Sequence, residues 1–216
     1  MPPTPRFLLV IVLLASGACA LSALGGIALG VLGAAWFLLA FEVIVLLAGI
    51  MGVLVGIGRF RDAPALATLC VGGCVLVAAV LSEPTFVARL LQGSAGAAQT
   101  IAGVSLLPWA LARAATGAGL IGVSALIVLS RRPAQSAPFL LRGVLYGAPV
   151  FAILAALVVP SVRGSLSGLP LSAIVAIAIA GFFVLGALFS VSVHNIIRAF
   201  EVAIPDRSLA PGAAQS

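Results

Sequence analysis

Residues 7–58 read FLLVIVLLASGACALSALGGIALGVLGAAWFLLAFEVIVLLAGIMGVLVGIG, and no other part of the chain says as much about its architecture. It is almost uninterrupted apolar sequence, with Glu42 as its single charged residue. At about 1.5 Å per residue it is far too long for one membrane-spanning helix, which needs about 20 apolar residues. A glycine-rich stretch at 25–33 suits a turn. The pattern therefore predicts two spans, at 7–29 and 34–58.

The composition of the whole chain agrees with a lipid-solvated protein. Of its 216 residues 63% are hydrophobic and only 7% are charged, and the mean hydropathy is +1.33. A soluble domain carries about a quarter charged residues, so this chain lacks the polar groups to cover a water-exposed surface. We therefore expect an all-α, polytopic transmembrane helix bundle that forms one membrane domain over residues 1–216.

The later apolar runs predict four more spans, for a total of six. They cover residues 63–81, 109–130, 139–159 and 169–193. Trp109, at the start of the fourth span, is expected at headgroup level. Pro149 lies inside the fifth run, where it is expected to kink the helix.

Two further segments do not fit a spanning helix. Residues 85–108 are predicted to form an interfacial segment, with a short amphipathic helix at 86–92, a small-residue loop at 93–98 and a re-entrant or interfacial stretch at 100–107. Residues 194–204 are predicted to be an amphipathic extension of the last helix.

The distribution of arginine predicts the orientation. The chain has eleven basic residues, all of them arginine, and a formal net charge of +6. With the N-terminus inside, eight arginines fall on the cytoplasmic side and three on the outer side, as the positive-inside rule expects. The cytoplasmic ones are Arg6, Arg59, Arg61, Arg131, Arg132, Arg142, Arg198 and Arg207. We expect a multi-pass protein of the cell (inner) membrane with both termini in the cytoplasm.

The same basic residues indicate lipid as the partner rather than nucleic acid. They are spread along the chain and most lie at the ends of apolar runs, where they can contact lipid headgroups. No nucleic-acid partner is predicted. The set expected to anchor the protein to the inner leaflet is Arg59, Arg61, Arg131, Arg132, His194 and Arg198.

The first apolar run also has features of a signal peptide. Arg6 precedes an apolar core, and the small residues 15–20 (ASGACA) resemble a cleavage site. A cleaved signal normally gives way to polar sequence, whereas here the apolar run continues. We expect the first helix to be retained.

Glu42 is the most informative single residue. It lies about eight residues into the second predicted span, roughly 10–12 Å below the outer membrane boundary. An ionisable residue at this depth is costly and is by default a functional candidate. The topology places Arg113 in the outer third of the fourth span, so the two are expected to pair. The pair is either a structural contact that fixes helix register or, alternatively, part of a transport path.

The cysteines are weaker candidates for a metal site. Cys70 and Cys74 share a helix face, and Cys19 is expected at a similar depth. Three thiols could bind a soft metal, but no histidine or carboxylate is expected beside them. Cysteine also packs as a small apolar residue. No metal or other cofactor is predicted.

Small residues at four-residue spacing predict close helix packing, because lipid removes the hydrophobic drive between helices. One stripe in the second span contains Ala48, Gly52 and Gly56, and another in the fourth contains Ala118 and Gly122.

No arrangement of residues predicts catalysis. Ser124 and His194 come nearest to a serine hydrolase pair, but the surrounding pattern does not match one. The leading functional hypothesis is a non-enzymatic subunit or assembly factor of a membrane complex, with a membrane-protein partner or a second copy. The alternative is a small transporter or channel that uses Glu42.

Overall fold

A computed structural model describes residues 4–60, 62–82, 100–101, 104–158 and 168–203 of the chain. In these residues six helices are long and apolar enough to cross a membrane. They are α1 (Arg6–Leu32), α2 (Trp36–Gly56), α3 (Pro64–Ser82), α4 (Leu107–Arg131), α5 (Pro133–Val158) and α6 (Leu171–Ala203). The predicted helical chain with six helices of spanning length is confirmed.

The first turn lies later in the sequence than the glycine-rich stretch suggested. Helix α1 continues to Leu32, and the chain reverses only at residues 33–35. Ala34 adopts a positive φ of 49° there. The earlier glycines stay helical and make room for neighbouring helices: a Cβ at Gly30 would come within 3.5 Å of Leu39 of α2.

A short β-hairpin lies at the end of the helix bundle where α4 begins, which we call the distal end. Its strands are β1 (Thr100–Ile101) and β2 (Val104–Ser105), which pair antiparallel with Thr100 opposite Ser105. Ile101 sits over Gly33, where any Cβ would overlap it. These residues belong to the predicted interfacial segment 85–108, most of which lies outside the described residues.

Helices α1 to α4 form one bundle, in which α1 packs on α2, α2 on α3, and α3 on α4. Its core is built from small and β-branched side chains such as Val12, Val45 and Val71. The backbones approach closely at glycines. A Cβ on Gly49 would come within 2.8 Å of Ala20, and one on Gly72 within 2.8 Å of the Gly117 carbonyl oxygen.

Of the two predicted small-residue stripes, the one in α2 packs against another helix, but Gly122 of the one in α4 does not. In α2, Gly52 faces Ser16 and Gly56 faces Leu13 of α1, so this stripe is a packing face. In α4, Gly122 has no atom within 4 Å of the position a Cβ would take. Gly117 makes the close approach instead, because it is on the α4 face turned toward α3.

Helices α5 and α6 form a hairpin of their own. Ser192 of α6 donates a hydrogen bond of 2.7 Å to the Gly143 carbonyl of α5. The hairpin joins the bundle at the end where α1 begins, which we call the N-terminal end. There Ala199 and Phe200 pack in one apolar cluster with Leu8 and Ile127. The chain therefore enters and leaves the described bundle at the same end.

Helix α5 is longer than the sequence pattern indicated, whereas α6 covers the predicted last span and its extension. Helix α5 begins at Pro133, a residue suited to a first turn, and continues through Pro138 and Pro149. Helix α6 runs without interruption to Ala203, so the predicted span and its amphipathic extension are one helix.

The exposed surface should be accessible to lipid rather than to water. Cys70 and Cys74 are exposed on α3, far from both helix ends. In intact vesicles we expect a membrane-impermeant maleimide to leave both unlabelled, because a thiol surrounded by lipid stays protonated and the thiolate is the reactive form. The same reagent should modify both cysteines once the protein is unfolded in a denaturing detergent. Gln135→Cys, at an exposed site between α4 and α5, is the aqueous control and should react with the impermeant reagent once its side of the membrane is accessible. Rapid impermeant labelling of Cys70 and Cys74 would contradict a membrane-embedded α3.

Candidate functional site: the buried Glu42–Arg113 pair

The site lies within the bundle near the distal end, where three helices bring polar groups to one level. Glu42 is within the first two turns of α2, and Arg113 is within the first two turns of α4. Ser22 comes from the second half of α1. Helices α2 and α4 both run antiparallel to α1. Residues near the start of α2 or α4 therefore lie beside residues in the second half of α1.

The two charged side chains form a bidentate ion pair. Arg113 Nη1 donates to Glu42 Oε1, and Nη2 donates to Oε2 at 2.6 Å. The side chains are only 4% and 1% exposed, respectively. Two parallel charge-assisted bonds are the strongest geometry available to a guanidinium and a carboxylate. The pair therefore carries no net charge into the interior.

Neighbouring groups hold the guanidinium in place. Arg113 Nη2 lies 3.3 Å from Ser22 Oγ, which in turn donates to the Cys19 carbonyl at 2.9 Å. The Trp109 ring, one turn earlier on α4, has its centroid 5.0 Å from the guanidinium carbon, a cation–π contact. Each contact favours one orientation of Arg113, because the donors lie in a fixed plane.

Gly26 makes room for the carboxylate. A Cβ on this residue would overlap the Glu42 carboxyl carbon and both of its oxygens. Gly25 does the same for the tryptophan, since a Cβ there would come within 3.3 Å of Trp109. The two adjacent glycines of α1 thus seat two different parts of the site.

One polar atom of the site has no partner. Arg113 Nε is buried without a hydrogen bond among the described residues. A cleft of about 180 Å³ adjoins it, lined by α1 and α4 residues that include Cys19, Ser22 and Thr116. Because Glu42 already balances the guanidinium charge, this donor suits a neutral acceptor such as a water or a carbonyl group.

The arrangement favours a structural contact over a protonatable relay. Both carboxylate oxygens are engaged by the same guanidinium, and Glu42 is fully buried. A carboxylate that accepts and releases protons or cations needs an accessible oxygen. The pair instead ties α2 to α4, two helices that are not adjacent in the main packing order of the bundle.

In comparisons with known proteins, no protein-family model, no curated protein and no solved structure matches the chain.

The three cysteines do not come together. Cys19 is buried beside the cleft, whereas Cys70 and Cys74 are exposed on α3. Among the described residues, no group of three or more His, Cys, Asp and Glu side chains could hold a metal ion. Ser124 and His194 are also in different settings: Ser124 is buried and donates to the Ile121 carbonyl, while His194 is exposed on α6.

The predicted anchor residues lie toward the N-terminal end in different environments. Arg59 and His194 are exposed, and Arg198 forms an exposed pair with Glu201 at 3.4 Å. Arg132 donates to Gln135 at 3.3 Å. Arg131 donates to Thr4 Oγ1 and to the Asp62 carbonyl. Arg61 lies outside the described residues.

The sequence pattern singles out Glu42 and Arg113 but not the groups around them. It predicts that Trp109 lies at headgroup level, which stays a prediction, but not that its ring contacts Arg113. The i, i+4 spacing of Trp109 and Arg113 is the signal that could have indicated their contact. Nothing in the sequence distinguishes Ser22 and Gly26 from the other small residues of α1.

Proposed function

We propose that this chain is a non-enzymatic subunit or assembly factor of a membrane complex, and that α6 binds a transmembrane helix of another protein. The observation that carries the proposal is the burial of α6. None of the 18 consecutive residues that form the most apolar part of α6 is buried. In α3, half of the residues in the equivalent stretch are buried.

An exposed apolar helix is ordinary in lipid, so exposure alone does not indicate a binding surface. The small residues of α6 are the more specific observation. Helices in a bilayer associate through close contact at small residues. At the α1–α2 interface, Gly49, Gly52 and Gly56 use their missing side chains in this way. Gly181 and Gly186 of α6 have no atom within 4 Å of their Cβ positions. They are places where a partner backbone could approach.

Helix α6 packs on α5 along the hairpin, and its fully buried contacts with the rest of the chain include Ser192, Ala199 and Phe200, toward the end of the helix. The earlier part of α6 presents Phe182 and Phe183, which are 75% and 69% exposed. Aromatic side chains beside small ones give a surface of ridges and hollows, which suits an apolar helix.

The proposed setting is the cell (inner) membrane, with both termini in the cytoplasm. Supporting this orientation, Arg6, Arg59, Arg131 and Arg132 are gathered at the N-terminal end of the described bundle. Arg113, toward the distal end, is neutralised by Glu42. A basic N-terminal end agrees with the positive-inside rule.

A transporter is the second candidate, and the buried donor beside the 180 Å³ cleft is the observation that favours it. Substrate entering the cleft would have to compete with Glu42 for Arg113. This function predicts that Glu42→Gln abolishes flux in reconstituted vesicles while leaving the fold intact. The ion pair as it stands supports the structural role.

The test of the subunit function is purification of the tagged full-length chain from its native membrane in mild detergent, with quantitative mass spectrometry. We expect a membrane protein at fixed stoichiometry. Gly181→Leu with Gly186→Leu should reduce its recovery at least tenfold, because the leucines fill the docking surface. Gly122→Leu, at an equally open glycine of α4, is the matched control and should retain the partner.

The thermal stability of the chain should be the same in all three proteins, which separates lost docking from misfolding. Recovery of the chain alone, or of the partner equally with every variant, would contradict the proposal. A partner that proves to be a second copy would replace the heteromeric complex with a homo-oligomer.

A further inference from the structure

A larger cavity lies at the N-terminal end of the bundle, away from the Glu42–Arg113 pair. It has a volume of about 640 Å³ and is bordered by the start of α1, the end of α2, the start of α3 and the end of α4. Two arginines line it, Arg6 and Arg131. Neither the ion pair nor the docking surface on α6 involves this cavity.

Arg131 is held in place at the cavity by its neighbours. Its Nε and Nη2 lie 3.3 and 3.1 Å from Thr4 Oγ1, and its Nη1 donates to the Asp62 carbonyl at 3.2 Å. A guanidinium fixed in this way loses less side-chain entropy when it binds an anion. The Asp62 carboxylate interacts electrostatically with Arg131, and its negative charge disfavours the binding of an anion at this arginine.

Among the described residues around the cavity, two arginines face this one carboxylate. Arg6 is exposed, so its charge is free to meet a ligand, and it is the first residue of α1. No side chain caps that helix, and its first turn has no acidic residue. The backbone N–H groups at the start of α1 therefore add positive potential next to the two arginines.

The remaining wall of the cavity is apolar. Leu9, Val55 and Phe60 contribute to it, and Phe60 is 38% exposed. A free inorganic anion would satisfy the arginines but would leave this surface uncovered. A ligand with a phosphate attached to an apolar body would satisfy both parts.

We propose that this cavity binds the headgroup of an anionic phospholipid, with the phosphate at Arg6 and Arg131 and the glycerol and first acyl carbons against Leu9, Val55 and Phe60. The site joins the ends of four helices, so a bound lipid bridges α1, α2, α3 and α4. It is independent of any protein partner on α6.

The experiment uses the full-length protein, delipidated in mild detergent, and native mass spectrometry to measure binding. The probe is dioctanoyl phosphatidylglycerol; dioctanoyl phosphatidylcholine and inorganic phosphate are compared with it. We expect the anionic lipid to bind more tightly than the zwitterionic one, and inorganic phosphate at equal concentration not to displace it. Arg6→Gln should weaken binding roughly fivefold, as expected for one arginine near an anionic headgroup.

Arg132→Gln is the matched control, because Arg132 is at the same end of the bundle but does not line the cavity. It should bind the lipid as the unaltered protein does. Equal weakening by both substitutions would show a general attraction to basic residues and overturn the site. Equal binding of phosphatidylcholine, or displacement by inorganic phosphate, would overturn the assignment to an anionic phospholipid. Arg6 is exposed, so its substitution is not expected to unfold the protein.

Discussion

Replacing Glu42 with glutamine is expected to destabilise the protein by about 3–5 kcal/mol, because it breaks a buried ion pair by removing one partner. The glutamine side chain has nearly the same shape, so the packing against Gly26 is kept. What is lost is the negative charge that balances Arg113 in a site where both side chains are almost fully buried. An unpaired guanidinium at this depth has no other acidic group beside it among the described residues.

The measurement is thermal or denaturant-induced unfolding of the purified protein in a fixed detergent. Glu201→Gln is the matched control, because it makes the same chemical change in an exposed pair with Arg198. Exposed pairs contribute little, and the control should change stability by less than about 1 kcal/mol.

A double substitution separates loss of the pair from loss of either residue. Glu42→Gln combined with Arg113→Gln removes both charges, so it should be less destabilised than the sum of the two single variants. If Glu42→Gln kept full stability and instead abolished transport in vesicles, the structural role would be wrong and the transporter would become the leading function.

Substituting Gly72 with alanine is expected to destabilise the protein by about 1–3 kcal/mol. The added methyl group would lie 2.8 Å from the Gly117 carbonyl oxygen and 2.9 Å from the Ile121 backbone nitrogen. Both atoms belong to the α4 backbone, so neither can rotate away as a flexible side chain would. Relief requires α3 and α4 to move apart, which loosens the contacts along their interface.

The neighbouring residue supplies the control. Gly73 has no atom within 4 Å of its Cβ position, so Gly73→Ala should leave stability unchanged or raise it through better helix propensity. The same unfolding measurement on both variants gives the comparison. Equal destabilisation by the two substitutions would mean that α3 and α4 do not pack through Gly72. Gly117→Ala should behave like Gly72→Ala, because the two glycines face each other.

Much of the helix pattern was predictable, since the length of an apolar run and the polar residues that end it are local properties. The ends differ by a few residues where prolines and glycines were given too much weight. Pro138 was expected to precede the fifth helix, but α5 begins at Pro133 and includes it. The first span was expected to end at residue 29, but Gly30 is still helical and packs against Leu39 of α2.

The candidate site was predictable only in its charged members. Glu42 and Arg113 stand out because charges are rare in this chain and the alternating topology puts them at similar depth. Ser22, Gly26 and Trp109 are needed to hold the pair, yet two of them look like any other small residue of α1. The same difficulty applies to Gly72 and Gly73, which are adjacent and identical in type but have opposite environments.

From the residues alone it follows that the chain is helical, that six of its segments have the length and hydropathy of membrane spans, and that its charges lie mostly at helix ends. Only the three-dimensional structure shows which helix faces pack together. It also shows that the most apolar part of α6 is exposed and that Arg6 and Arg131 border one cavity. The difference comes from the solvent. In water a helix shows its buried face by the side on which apolar residues gather. When the surroundings are as apolar as the interior, that signal disappears, and the fit of small residues determines which faces pack together.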